Sequence, residues 1–85
     1  MNYNYLTLDH ITAYEEFLCR EERSAATKEK YLRSVRTFHS WAHGQAITKE
    51  TVTAWKNCLI EQKYAPSTIN TMLAALNRLF AFMGW

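Results

Sequence analysis

Four cations, Lys28, Lys30, Arg33 and Arg36, fall within nine residues of one strongly helical stretch. At 100° per residue, and taking Tyr31 as inward, Tyr31, Val35, Phe38 and Ala42 lie within about 40° of that direction. Glu29, Arg33, Arg36 and Ser40 point away, Lys30 and Thr37 sit on one shoulder, and Lys28 lies nearer the core edge. Cations so placed can neutralise a row of phosphates, and Arg can also pair with a guanine edge. A second polar set, Ser67, Thr68 and Thr71, opens a later helical stretch whose outer side continues as Asn70, Ala74, Asn77 and Ala81, with Arg78 on a shoulder. Small side chains admit another surface closely. A helix start adds unpaired N–H groups and a partial positive charge. By itself, a row of outward Lys and Arg is also what an ordinary solvated helix presents.

Other chemistry is poorly supplied. His39 and His43 have the i, i+4 spacing of a metal pair, but no third ligand accompanies them, so no metal is expected. Tyr3 and Tyr5 lie near a loose terminus, Tyr14 and Tyr31 are core-like, and Tyr64 lies in a turn; none has the basic surroundings that would activate it. Gly-rich phosphate loops are absent, and no cofactor is expected. Cys19 and Cys58 are too few for a disulfide framework and are expected as reduced, buried thiols.

Four helices must position these residues. The first is expected from Leu8 to Glu22, capped by Thr7 or Asp9, with Ile11, Tyr14, Phe17 and Leu18 as its buried stripe. The second runs from Ala25 to Ala42, with Ser24 as N-cap, Tyr31, Val35, Phe38 and Ala42 inward, Leu32 and Trp41 at the flanks, and His43-Gly44 as its stop. The third runs from Lys49 to Lys63 behind Thr48, with Val52, Trp55, Leu59 and Cys58 inward. The fourth runs from Pro66, tolerated at a first helical position, to Met83, with Met72, Leu73, Leu76, Leu79, Phe80 and Met83 as its stripe.

A shift of 41 residues lays LTLDHITAYEEFL (6–18) over ITKETVTAWKNCL (47–59). Thr7 then meets Thr48, Tyr14 meets Trp55 and Leu18 meets Leu59, while Val35, Phe38 and Trp41 meet Leu76, Leu79 and Phe82. The expectation is an all-α domain: a compact bundle of four helices in two similar hairpins, each covering the other's apolar stripe. It spans residues 7–85 behind an N-terminal tail, 1–6.

The chain has 85 residues and a net charge of only +2, but the charge is unevenly spread. Residues 1–22 carry five acids against Arg20, whereas residues 23–49 carry six cations against Glu29. An anionic partner would therefore be drawn to the middle of the chain. MNYNYLTLDH lacks the charged and apolar regions of a signal peptide, and no apolar run suits a membrane span. A soluble cytoplasmic protein without a membrane partner is expected.

Ser24, Thr27, Tyr31, Phe38 and Trp41 fit a Ser-x-x-Thr-x-x-x-Tyr motif with an aromatic close. Pro66, Thr68, Ile69, Asn70, Leu73, Ala75, Leu76 and Phe80 fit a Pro-x-Thr-Ile-Asn helix, and ITKETVTAW (47–55) fits the helix start between them. In this order and spacing they resemble the SAM-like core-binding domain of tyrosine recombinases, the phage integrase family. The resemblance covers nearly the whole chain. It implies a non-catalytic module that meets duplex DNA with its second and fourth helices, the catalytic residues belonging to a later domain. It also implies partners in double-stranded DNA and in other recombinase protomers on that DNA, the isolated domain being monomeric. Carried over, the contacts are Thr27, Lys30, Arg33, Arg36, Ser67, Thr68, Thr71 and Ala74; Lys28 and Arg78 join them from the helical faces. Three positions depart from the pattern. Ala65 replaces a Ser before Pro66, leaving the fourth helix without a side-chain cap, and Thr71 and Asn77 stand where cations are common. Less charge on the fourth helix shifts phosphate contact to the second. The competing function class is a helical protein-interaction module without DNA binding, using the Ala74/Ala81 face with Phe82 and Trp85. A helix-turn-helix repressor fits poorly, because no short turn precedes a basic helix.

Overall fold

The computed structural model describes residues 3–21 and 24–85. It contains α1 (Leu8–Glu21), α2 (Ala25–Ala42), α3 (Lys49–Glu61) and α4 (Pro66–Met83), plus two two-residue strands, β1 (Asn4–Tyr5) and β2 (Ala46–Ile47). The architecture is all-α, as the periodicity predicts. Glu22, the expected end of α1, lies outside the described residues, as do Arg23 and the first two residues of the expected tail.

Each helix start has a local cause. At α1, the His10 N–H donates to Thr7 Oγ1 at 3.3 Å while the Thr7 N–H donates to His10 Nδ1 at 3.2 Å. At α3, the Thr51 N–H donates to Thr48 Oγ1 at 3.1 Å and the Thr48 N–H returns to Thr51 Oγ1 at 3.4 Å. Both are reciprocal capping boxes, and both bridging residues sit three past the cap. Ser24 Oγ accepts from the Thr27 N–H and starts α2, whereas Ala65 gives α4 no side-chain cap and Pro66 supplies its first turn. Helices α2 and α4 stop at left-handed residues, His43 and Gly84.

The 41-residue repeat is visible in three dimensions. It maps α2 onto α4 end to end, His43 onto Gly84, and His10 onto Thr51. The eight largest fully buried side chains are Tyr14 and Trp55, Leu18 and Leu59, Val35 and Leu76, Phe38 and Leu79, which is four repeat-related pairs. β1 pairs antiparallel with β2 so that Tyr5 faces Ala46, its own repeat equivalent, and Asn4 faces Ile47. An antiparallel pairing centred on equivalent residues is what a twofold axis between the hairpins produces. α2 and α4 pack on each other across that axis. The Tyr14 hydroxyl also crosses between hairpins, donating to the Ala75 carbonyl at 3.4 Å.

Several expectations are corrected. Residues 4–6 are not loose: the strand pair holds Asn4 and Tyr5, and Leu6 is buried in the core. On α2, Leu32 is buried and Tyr31 only half-buried, because α1 covers the Leu32 side. Cys19 is exposed, one residue past the buried Leu18 and turned toward α2; Cys58 is half-buried, and both are free thiols. On α3, Thr51 is buried and Val52 half-buried, because Thr51 Oγ1 reaches the Ala46 carbonyl at 2.7 Å. Phe17, Leu73, Phe80 and Met83 flank the core half-buried, while Ile69 and Ala75 join it. α3 ends at Glu61 rather than Lys63. No helix among the described residues is long and apolar enough to cross a membrane.

Candidate nucleic-acid interface

Two grooves flank α2. One, of about 410 Å³, lies between α2 and the start of α4, lined by Lys30, Arg33, Ser34, Thr37, Tyr64, Thr68, Thr71 and Met72. The other, of about 770 Å³, lies on the α1 side, where Glu15 faces Lys28, Glu29, Arg33 and Arg36 above Leu32 and Trp41. Arg33 belongs to both.

The first groove brings together Lys30, Arg33, Thr68 and Thr71, four sequence-predicted residues from two helices. Among the described residues no carboxylate lines it. Among the described residues, Lys30 and Arg33 have no acid within ion-pair distance. Its hydroxyls differ in what they can still donate. Ser34 Oγ donates to the Lys30 carbonyl at 3.0 Å, Thr37 Oγ1 to the Arg33 carbonyl at 2.8 Å, and Thr71 Oγ1 to the Ser67 carbonyl at 3.0 Å. Those three protons are engaged with the helix backbone. Among the described residues Thr68 and Tyr64 make no such bond, so their hydroxyls can serve an anion. The uncapped start of α4 adds the Ser67 and Thr68 backbone N–H groups beside them.

The second groove separates Lys28 and Arg36 from that set. Arg36 Nη2 lies 3.9 Å from Glu15 Oε2, with the side chains 58% and 41% exposed. Lys28 Nζ donates to Cys19 Sγ at 2.9 Å, and this bond, with the negative charge of that sulfur when ionised, holds the ammonium above the usual lysine value.

The remaining predicted residues scatter around the first groove. The Arg78 guanidinium lies 5.6 Å from the centre of the Tyr31 ring, a cation–π placement that attaches α4 to α2. Ser67 and Ala74 are exposed on the outer side of α4, and half-buried Thr27 gives its N–H to the Ser24 cap. Tyr64 is the residue sequence reasoning missed. A tyrosine two before the proline that opens α4 was the only hint, and a turn residue's direction is not written in a helical period. Among the described residues no three His, Cys, Asp or Glu side chains converge as a metal site would require.

A family model described as phage integrase, N-terminal SAM-like domain, matches residues 11–85. No curated protein and no solved structure gives a significant match.

Proposed function

The chain belongs to the N-terminal SAM-like domain family of phage integrases, and from that membership we propose that it is the DNA-binding module of a site-specific tyrosine recombinase. In this reading it grips duplex DNA with α2 and α4 and leaves strand cutting to residues elsewhere. The observation that carries it is the groove in which Lys30 and Arg33 of α2 meet Thr68 of α4, with no carboxylate among its described lining residues. Lys30 and Arg33 each neutralise a phosphate, Thr68 and the free N–H groups at the α4 start donate to another, and small Ala74 lets the helix approach the groove floor. Thr27, Ser67 and Thr71 frame this centre. Lys28 and Arg36 extend it toward α1, where Glu15 weakens their pull. Arg78 contributes through Tyr31, setting α4 against α2. The partners are double-stranded DNA and further protomers assembled on it in the cytoplasm, the domain alone being a monomer.

The test is an amide-resolved NMR titration with a short duplex at low salt. Affinity without a second DNA-gripping domain should be about micromolar or poorer at physiological salt. The expected shifts centre on Lys30, Arg33, Thr37, Tyr64, Thr68 and Thr71. Perturbation confined to α1, or none, would overturn the proposal.

A further inference from the structure

Two helix ends in this fold share one backbone motif and treat their last side chain oppositely. At the end of α3, the Lys63 N–H donates to the Ile60 carbonyl at 3.0 Å and the Tyr64 N–H to the Leu59 carbonyl at 3.2 Å. At the end of α4, the Gly84 N–H donates to Ala81 at 3.3 Å and the Trp85 N–H to Phe80 at 2.9 Å. Both are Schellman turns, with a left-handed residue followed by an aromatic. That aromatic ordinarily packs back on its own helix. Trp85 does so: its ring lies 5.9 Å from Phe80 and 5.3 Å from His10. Tyr64 does not. It stays 40% exposed, has no ring contact or hydroxyl partner among the described residues, and lines the groove with Lys30, Arg33 and Thr68. The left-handed residue before it is Lys63, at φ +64°, a conformation that glycine adopts without the steric cost a side chain bears. The turn therefore holds the phenol at the groove's lip.

We propose that the Tyr64 hydroxyl is an uncharged phosphate-binding group: it donates to a backbone oxygen of the same phosphate run that Lys30 and Arg33 neutralise. The inference rests on the duplex-binding reading and adds a residue with a distinct signature. A cation's contribution is largely counterion release and fades with salt, whereas a neutral hydrogen bond displaces no counterion and keeps its share at every ionic strength.

The experiment compares the full 85-residue chain with Tyr64→Phe, and with Lys30→Ala and Arg33→Ala, by anisotropy of a labelled duplex from 50 to 200 mM salt. Phe keeps the ring, and an unchanged melting temperature verifies the fold. Tyr64→Phe should weaken binding by about three- to tenfold at every salt, with the slope of log K against log salt unchanged. Each cation variant should instead lower the slope by about 0.9. Wild-type affinity in Tyr64→Phe, or a slope that falls with it, removes Tyr64 while leaving the groove intact if the cation variants behave as stated. If neither cation variant changes the slope, the groove itself is wrong and Tyr64 falls with it.

Discussion

Laid over one another at a shift of 41 residues, the α1–α2 and α3–α4 hairpins agree inside and disagree outside. Tyr14, Leu18, Val35 and Phe38 fall on Trp55, Leu59, Leu76 and Leu79, and all eight side chains are fully buried. On the surface, Lys30 falls on Thr71, Arg33 on Ala74 and Arg36 on Asn77. The buried positions agree because each hairpin fills the same space against the other, and a close-packed interior constrains volume tightly. Solvated positions carry no such constraint, so one arm bears charge and its twin bears small neutral groups. The groove draws on both arms, on Lys30 and Arg33 of one and Thr68 and Thr71 of the other. A cationic flank beside a flank permitting close approach suits a polyanion with a grooved surface better than two identical flanks would.

The deepest way to break this comparison is in the core. Tyr14→Ala and Trp55→Ala should each cost about 3–5 kcal/mol in urea unfolding, large against the roughly 5–15 kcal/mol that holds a small domain folded. Nearly equal losses are expected, and a cheap substitution in one hairpin alone would show that the halves are equivalent in shape only. Next comes the surface. Giving α2 the residues of its twin, Lys30→Thr with Arg33→Ala, should lower duplex affinity roughly 50-fold near 0.1 M salt and the salt slope by about 1.8, with the melting temperature unchanged. The reciprocal pair, Thr71→Lys with Ala74→Arg, sharpens the point: it should steepen the slope without restoring the close approach that Ala74 allows. The smallest effect belongs to the acid-bearing groove. The Glu15–Arg36 pair is long and well exposed, so Glu15→Gln should leave stability within a few tenths of a kcal/mol and raise low-salt duplex affinity about twofold. A larger stability loss would mean that the pair anchors α1.

Helix positions were legible because their punctuation is chemical: Ser24 and Thr48 accept orphan N–H groups, Pro66 opens a turn, and Gly84 adopts the left-handed stop. Where no such mark exists the sequence misleads. Lys63 takes a left-handed conformation that few side chains adopt, so α3 ends two residues before its polar pattern does. A helical wheel centres the inner face of α2 on Tyr31, because an aromatic dominates it. What covers that face is decided by α1, and Leu32 is the better-buried residue. The strand pair was invisible, since two-residue strands have no period to detect. At the site, charge on α2 could be read directly. Its division into one groove with Glu15 and Glu29 and another with no carboxylate among its described lining depends on which neighbour each shoulder meets, and that is tertiary information.

The pairing of Tyr5 with Ala46 also sets an order of events. It joins positions 41 apart with a ladder only two residues long, so closing the intervening loop costs on the order of 3 kcal/mol of chain entropy for very few hydrogen bonds. Neither hairpin needs it to form, but it can form only once both hairpins have docked and aligned the lead-ins to their first helices. It is therefore a latch, late to close as the chain folds and early to open when the native state breathes, with the helices beneath it already in place.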